Sequence, residues 1–433
     1  MEADLTGAKP SGDYRFRVVD GELDELFAGL PAISIEGAKA VGKTATALRR
    51  AASAFRLDNA AERAIVEGDS QRLVEAEKPT LIDEWQRLPE SFDRVRRAVD
   101  DGAGAGSFLL TGSATPTELP THSGAGRIVR VRMRPMTILE RGVGTPAVSL
   151  AHLFDGHRAR LDGSTDVRLE DYVEEILRSG FPGIRELPSR LARAQLDGYV
   201  DHIVEREFEE LGRRVRRPAT LRRWMAAYAA ATSATASFEK IRDAATGDDV
   251  DKPSRATALA YRDILERLWV LDPLQPWLPT RNQLTQLASP SKHHLVDPAL
   301  AARLLGVDVA ALLRAAPGKP SVVRDGTLLG ALFESLVTQS VRVYAQGIEA
   351  RVGHLRTRRG EHEVDLIVER GQAVVAIEVK LGALAGDRDV RHLLWLRDKL
   401  GEQLADAVVI TTGREAYRRK DGIAVVPLAL LGP

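Results

Sequence analysis

The residues Gly37-Ala38-Lys39-Ala40-Val41-Gly42-Lys43-Thr44 fill every fixed position of the phosphate-binding pattern G-x-x-x-x-G-K-[ST]. In such a loop glycines let successive backbone N–H groups wrap an anion, Lys43 reaches the β- and γ-phosphates, and the Thr44 hydroxyl ligates Mg²⁺. Downstream, Thr80-Leu81-Ile82-Asp83-Glu84 is an apolar run that ends on two carboxylates. Asp83 is the candidate metal carboxylate, and Glu84 the candidate group that polarises an attacking water. Ser113, at the end of Ser107-Phe108-Leu109-Leu110-Thr111-Gly112, is a candidate sensor of the γ-phosphate or of that water. Together these residues predict ATP and Mg²⁺ as cofactors, with Gly37 to Thr44 as the binding loop.

A second group of charged residues lies near the C-terminal end. Glu363-Val364-Asp365-Leu366-Ile367-Val368-Glu369 and Ala373-Val374-Val375-Ala376-Ile377-Glu378-Val379-Lys380 read as two strands joined by Gly371-Gln372. A type II′ turn there sets Leu366 opposite Ile377 and Val368 opposite Val375, one apolar face, and Asp365 opposite Glu378 on the other. Two carboxylates across a ladder repel. A shared Mg²⁺ or Mn²⁺ would remove the repulsion, so Asp365 and Glu378 are candidate metal ligands. With Lys380 they form the D…E-x-K pattern of PD-(D/E)xK nuclease-like domains, and Glu334, on the amphipathic segment from Leu328 to Val337, is the acidic residue that would complete it. A plain hairpin with a solvated charged face, or a fold that keeps its carboxylates for binding alone, stays open beside this.

These groups need elements to hold them. Ala32-Ile33-Ser34-Ile35 before the loop predicts a buried strand, and Thr44 to Ala52 after it a helix. This ATP-binding pattern ends near Arg134-Pro135, after Gly124-Ala125-Gly126-Arg127. Arg127 stands where an arginine could face a neighbouring subunit's nucleotide in a homo-oligomer, with a solvated surface arginine as the alternative. From Tyr172 to Leu271 the apolar spacing is helical, as at Leu221, Trp224, Met225 and Tyr228. Inside it, a short helix from Ala236 to Ile241, a loop and a helix from Ser254 to Leu268 outline a winged helix-turn-helix, with a three-helix packing as the alternative. The arginines Arg213, Arg214, Arg216, Arg217, Arg222 and Arg223 fit phosphate contacts or a solvated face. The expected domains are 1–150, an ATPase core; 151–325, helical; and 326–433, nuclease-like.

The chain has 433 residues, more than the roughly 250–300 that one core supports. With 44% apolar residues it can bury several cores. Cysteine is absent, which excludes disulfides and thiolate metal sites. Basic and acidic residues balance at 61 each, so any nucleic-acid contact must come from local patches. No apolar run spans a membrane and the start lacks a signal-peptide pattern, so a soluble, cytoplasmic protein is expected.

Leu81-Ile82-Asp83-Glu84-Trp85-Gln86, Gly126-Arg127 with Arg134-Pro135, Gly180-Phe181-Pro182-Gly183, Pro276-Trp277, Asp297-Pro298-Ala299-Leu300 and Gly330-Ala331-Leu332-Phe333-Glu334, added to the loop and the hairpin, resemble the prokaryotic AAA-type ATPases that carry a C-terminal DUF4143 region. The resemblance runs from about Arg17 to the end. It implies an α/β protein: a P-loop parallel-sheet core, a winged-helix-like middle and a restriction-endonuclease-like C-terminal domain. The expected function is a Mg²⁺-dependent ATPase whose nucleotide state controls a DNA-processing or DNA-binding C-terminal domain. A nucleotide-gated interaction protein with a catalytically silent C-terminal domain fits the same motifs. Trp85 departs from the aliphatic residue usual there, and the acidic loop from Ala245 to Pro253 is unsuited to a DNA-facing wing.

Overall fold

The computed structural model describes residues 14–114, 124–156, 161–213, 215–245, 252–278, 289–313, 327–357 and 360–433. They form two compact units. The first comprises Met1–Arg134, Glu207–Arg214 and Asp263–Val270, the second Pro135–Arg206, Val215–Arg262 and Leu271–Pro433.

In the first unit, β1 (Ala32–Glu36), β2 (Ser53–Arg56), β3 (Thr80–Asp83), β4 (Phe108–Gly112) and β5 (Val129–Arg132) form one sheet in the order β2-β3-β4-β1-β5. All four pairings are parallel. A parallel sheet is covered on both faces, and adjacent apolar residues of its inner strands are accordingly buried together: Ile33, Ile35, Leu81, Ile82, Leu109 and Leu110 are fully buried. Because the strands run the same way, the ends of β1, β3 and β4 open at one edge, where ligands of such sheets bind. The helix after the loop runs only from Lys43 to Leu48, shorter than the expected Thr44 to Ala52. Ala52 donates instead to the Pro79 carbonyl at 2.8 Å, which draws the chain into β2.

The second unit begins with β6 (Val148–Ser149) and a set of helices. Helix Pro218–Ala230 buries Leu221, Trp224, Met225 and Tyr228, as their spacing predicts. Helix Phe238–Ala244 is capped by Ser237, whose hydroxyl accepts from Lys240 N at 3.2 Å. Helix Arg255–Arg267, whose residues from Asp263 on belong to the first unit, starts at Ser254 in the same way, with Thr257 N at 3.1 Å. Behind it the backbone makes two isolated antiparallel bridges, Leu271 with Leu295 and Leu274 with Lys292. Arg214 and most of the acidic loop, residues 246–251, lie outside the described residues.

The C-terminal sheet contains β7 (Arg351–Arg356), β8 (Glu363–Arg370), β9 (Ala373–Val379), β10 (Leu404–Thr411), β11 (Tyr417–Arg418) and β12 (Ala424–Pro427), in the order β11-β12-β10-β9-β8-β7. β7, β8 and β9 are antiparallel, while β9, β10 and β12 are parallel. Leu366 pairs with Ile377 and Val368 with Val375. At the turn Gly371 takes φ 64°, a left-handed conformation glycine adopts without strain. The face that carries Asp365 and Glu378 also carries Ile367, Val374 and Ala376, which pack with Val390, Leu393 and Leu396 of helix Asp387–Leu400.

Helix Leu328–Gln346 is amphipathic over the expected segment Leu328 to Val337, where Leu329, Leu332, Phe333, Leu336 and Val337 are buried and Leu328, Gly330, Ala331 and Glu334 are not. It buries Leu332, Phe333, Leu336, Val337, Val341 and Tyr344 together with Ser335, Thr338 and Ser340, because β7 and the helices Leu169–Arg178 and Pro298–Leu304 pack around it. A last short strand, β13 (Leu431–Gly432), pairs with β6. Among the described residues no helix is long and apolar enough to cross a membrane.

Candidate functional site

The phosphate loop leaves β1 at Gly37, whose N–H donates to the Gly112 carbonyl of β4 at 3.3 Å. A Cβ on Gly37 would lie 2.2 Å from the Met133 carbonyl oxygen, so no other residue fits. Ala40 and Gly42 have φ of 66° and 104°, which turns the loop around itself. Lys43 is buried and its ammonium donates to the carbonyls of Gly37 and Ala38, both at 2.9 Å. Burial pulls its pKa down to about 8, against the opposing pull of Glu84 and Asp83. Thr44 Oγ1 donates to Asp83 Oδ1 at 2.8 Å, and Thr111 Oγ1 donates to the same oxygen. The hydroxyl and the carboxylate assigned to Mg²⁺ from the sequence are therefore in direct contact. Burial raises the Asp83 carboxyl, while the two threonine hydroxyls oppose the rise.

Glu84 follows with φ 55°, a left-handed conformation uncommon outside glycine and asparagine. This turns its side chain away from the strand line. Its Oε2 accepts from Ser113 Oγ at 2.6 Å and from Gln86 Nε2, and Gln86 Nε2 also reaches Ser113 Oγ at 3.0 Å. Glu84 N donates to Thr111 Oγ1 at 3.2 Å. Glu84 and Ser113, drawn from two strands, thus share one hydrogen-bonded group with Gln86, which sequence reasoning left without a role. Trp85 is buried against Phe92 with ring centroids 4.7 Å apart. Gly112 makes room for it, since a Cβ there would stand 2.8 Å from Trp85 Nε1.

Two supports were not foreseen. Buried Arg17 donates to the Val41 carbonyl at 2.9 Å and the Arg134 carbonyl at 2.7 Å, clamping the loop from behind. Lys39, placed on the nucleotide from its position in the motif, makes an ion pair with Glu207 and has Glu210 at 4.0 Å. Lys39, Glu207 and Glu210 line a cleft of about 370 Å³ with Gln86, Ser113 and Leu211. Arg127 is 48% exposed and pairs with Asp100 of its own chain at 2.8 Å.

In the second unit the residues Glu334, Asp365, Glu378 and Lys380 do come together, around a cleft of about 730 Å³. A fifth residue, Lys292, joins them. Among the described residues no group of three or more His, Cys, Asp or Glu side chains is placed to hold a metal ion. Lys380 supplies counter-charge to Glu378, and Lys292 to Glu334 and Asp365. The Lys292 ammonium lies 2.9 Å from Glu334 Oε1, 2.9 Å from Asp365 Oδ1 and 3.4 Å from Glu363 Oε1, with the side chain 1% exposed. Asp365 Oδ2 accepts from Val379 N at 2.9 Å, and Lys380 pairs with Glu378 at 3.1 Å. The other Glu378 oxygen is buried without a hydrogen-bond partner. Burial and the Asp365 charge hold Glu378 well above the carboxylate range, whereas Lys292 and Lys380 outweigh burial at Asp365 and keep it ionised.

Burial and the Asp365 charge also push Glu334 up from 4.5 to about 8, against the pull of Lys292. Between those values the folded chain holds a proton that the unfolded chain has released, so this group's contribution to stability is full below pH 4.5 and falls as pH rises toward 8. Glu334→Gln is expected to remove that fall. Melting temperatures at pH 5 and pH 8 should converge in the variant relative to the wild type, and an unchanged difference would place the proton elsewhere.

Lys292 carried no motif. The one sign in the sequence is a polar run, Ser291-Lys292-His293-His294, just before the apolar Leu295-Val296. Two further motifs meet away from either cleft: Asp297 accepts from Ser179 Oγ at 3.0 Å, Gly180 N at 2.7 Å and Ala299 N at 2.8 Å, tying the Gly180-Phe181 turn to the helix that starts at Pro298.

Residues 30–141 match the model of an AAA domain. Residues 169–311 and 329–431 match two domains of unknown function, DUF8612 and DUF4143. Uncharacterized proteins of Mycobacterium tuberculosis (strain H37Rv) and Mycobacterium bovis are each 27% identical over 357 residues, covering 80% of this chain and 67% of theirs. A Walker-type ATPase of Pyrococcus abyssi aligns in structure with a TM-score of 0.40 and 18% identity, over 70% of this chain and 99% of its own. The chain therefore carries an AAA domain over residues 30–141 and a DUF4143 domain over residues 329–431.

Proposed function

We propose that the first unit binds and hydrolyses ATP with Mg²⁺. The observation that carries this is the convergence of Lys43, Thr44, Asp83, Glu84 and Ser113 from three neighbouring strand ends. Gly37 to Thr44 would hold the phosphates, and Thr44 with Asp83 the Mg²⁺. The donor set fits: a hydroxyl and a carboxylate already 2.8 Å apart, and a buried ammonium held by nothing stronger than its own loop's carbonyls. When bound, the metal neutralises charge on the phosphates. Glu84, in hydrogen-bonding range of Ser113, orients and deprotonates the water. Phosphate release from MgATP, measured with and without DNA, tests the reading.

The nucleotide state is proposed to control the C-terminal domain, whose Asp365, Glu378 and Lys380 keep the D…E-x-K pattern of nuclease-like folds. Nucleic-acid binding without cutting is favoured over cleavage there, and one observation favours it: an ammonium occupies the centre of the carboxylate group. DNA as the partner rests on that pattern, on helix Arg255–Arg267 behind Phe238–Ala244 as the winged-helix candidate, and on the exposed Arg213, Arg216 and Arg217.

Arg127 is proposed to complete the site of a neighbouring subunit in a homo-oligomer, exchanging its Asp100 pair for the nucleotide. Mixing Arg127→Ala chains with Lys43→Ala chains should then restore part of the ATPase activity, since one interface joins an intact loop to an intact arginine. Full activity of Arg127→Ala alone would end the proposal.

A further inference from the structure

Glu334 and Asp365 approach each other in the second unit beside the half-exposed Glu363, which Arg356 also pairs at 3.3 Å, and a carboxylate buried there costs free energy without a counter-charge. Divalent cations commonly meet this need, and Mg²⁺ or Mn²⁺ takes oxygen ligands at about 2.0–2.2 Å in an octahedron. Here the oxygens of Glu334, Asp365 and Glu363 lie at 2.9, 2.9 and 3.4 Å from a nitrogen instead. An ammonium has three donors and no acceptor, which matches three carboxylates. Burial alone would lower the Lys292 pKa, but the three carboxylates outweigh it and hold the group charged.

Lys292 is not a surface side chain that swings in and out. Its backbone is fixed on both sides, with Lys292 N donating to the Leu274 carbonyl and Leu274 N donating to the Lys292 carbonyl, each at 2.9 Å. The next residue is held too, as His293 N donates to Ala234 O at 3.0 Å and Ser233 N to His293 O at 2.8 Å. The remaining catalytic-pattern residues are committed in the same way. Lys380 is paired with Glu378, and Asp365 with Lys292 and Val379 N.

We propose that Lys292 is a built-in cation that takes the place of a divalent metal among Glu334, Asp365 and Glu363, so that the cleft does no metal-dependent phosphodiester cleavage. The inference rests on the C-terminal part of the proposed function and is independent of ATP hydrolysis in the first unit. It turns a nuclease-like pattern into a binding surface whose charge balance is set by the chain itself. Its consequence is that ligand binding at this cleft is insensitive to chelators.

The full-length chain carrying Asp83→Asn, which removes the metal carboxylate of the nucleotide site, is titrated with Mn²⁺ and free Mn²⁺ is read by electron paramagnetic resonance. The expected result is no Asp365-dependent binding: adding Asp365→Asn leaves the titration unchanged. Adding Lys292→Met instead should create one bound equivalent, which a further Asp365→Asn removes. An equivalent of Mn²⁺ bound by the Asp83→Asn chain and lost on Asp365→Asn overturns the proposal. So does a folded Lys292→Met chain that binds none.

Should Lys292→Met fail to fold, the first comparison still decides, together with plasmid nicking by the otherwise unaltered chain in Mn²⁺. Nicking no greater than that of Asp365→Asn supports the proposal, and Asp365-dependent nicking overturns it. Phosphate release from MgATP by the unaltered chain is measured in parallel, so that a failure of the nucleotide reading is seen separately.

Discussion

Glu84→Gln is expected to bind ATP as tightly as the wild type and to hydrolyse it about 10²–10⁴-fold more slowly, the usual cost of losing a positioned general base. Glutamine keeps the shape and can still accept the 2.6 Å bond from Ser113 Oγ, so the hydrogen-bonded group around it survives while the base is gone. Lys43→Ala should behave differently, losing nucleotide binding itself, because it deletes the one buried cation of the loop. Filter binding of labelled ATP and phosphate release, measured on the same preparations, separate the two. Equal turnover in wild type and Glu84→Gln would remove Glu84 from the chemistry and leave the Ser113 and Gln86 contacts as a purely structural group.

The largest stability effect is expected at Glu175. Its carboxylate, 9% exposed, accepts from Arg185 at 2.9 Å and from Arg141 at 3.3 Å, and the Arg141 side chain is fully buried. Burial would raise the Glu175 pKa, but the two arginines outweigh it and keep the group below the usual range. Glu175→Ala leaves two buried guanidinium groups without their anion, a change that costs about 3–5 kcal/mol. Thermal melting should show the loss, with Glu175→Gln intermediate because it retains an acceptor. Since the folded pKa is depressed, the pair's contribution is present above the unfolded carboxyl range and is lost as pH falls through the folded value. A wild-type melt that does not weaken on acidification over that range would argue against the pairing.

Where a residue's role follows from local spacing, the sequence was informative. The order of strand, loop and helix around Gly37 to Thr44, the carboxylates after β3 and the register of the hairpin all depend on neighbours within a few positions. Periodicity finds the apolar face of Leu328 to Val337 but gives no account of the polar residues buried beside it. Ser335, Thr338 and Ser340 are small enough to be buried beside neighbouring elements. The same limit hid Ile367, Val374 and Ala376, whose cover, helix Asp387–Leu400, packs on them only in the folded chain.

Contacts between distant segments left the least trace. Arg17 reaches Val41 and Arg134, Glu207 reaches Lys39, and Lys292 reaches Glu334 and Asp365. No spacing rule ties a lysine to a carboxylate 73 residues away. Burial and the repulsion expected between Asp365 and Glu378 together raise the Glu378 pKa, and the lysine beside Asp365 comes from a segment that carries no motif.

The central claim is that the Lys43, Thr44, Asp83, Glu84 and Ser113 group hydrolyses ATP with Mg²⁺. Its most direct test is phosphate release by the full-length chain under saturating ATP, in Mg²⁺ and in excess EDTA. The account predicts multiple turnovers in Mg²⁺ that EDTA abolishes and that Glu84→Gln reduces to the level of the chelated wild type. ATP that binds in Mg²⁺ yet is released intact, at the same rate by wild type and Glu84→Gln, would contradict it.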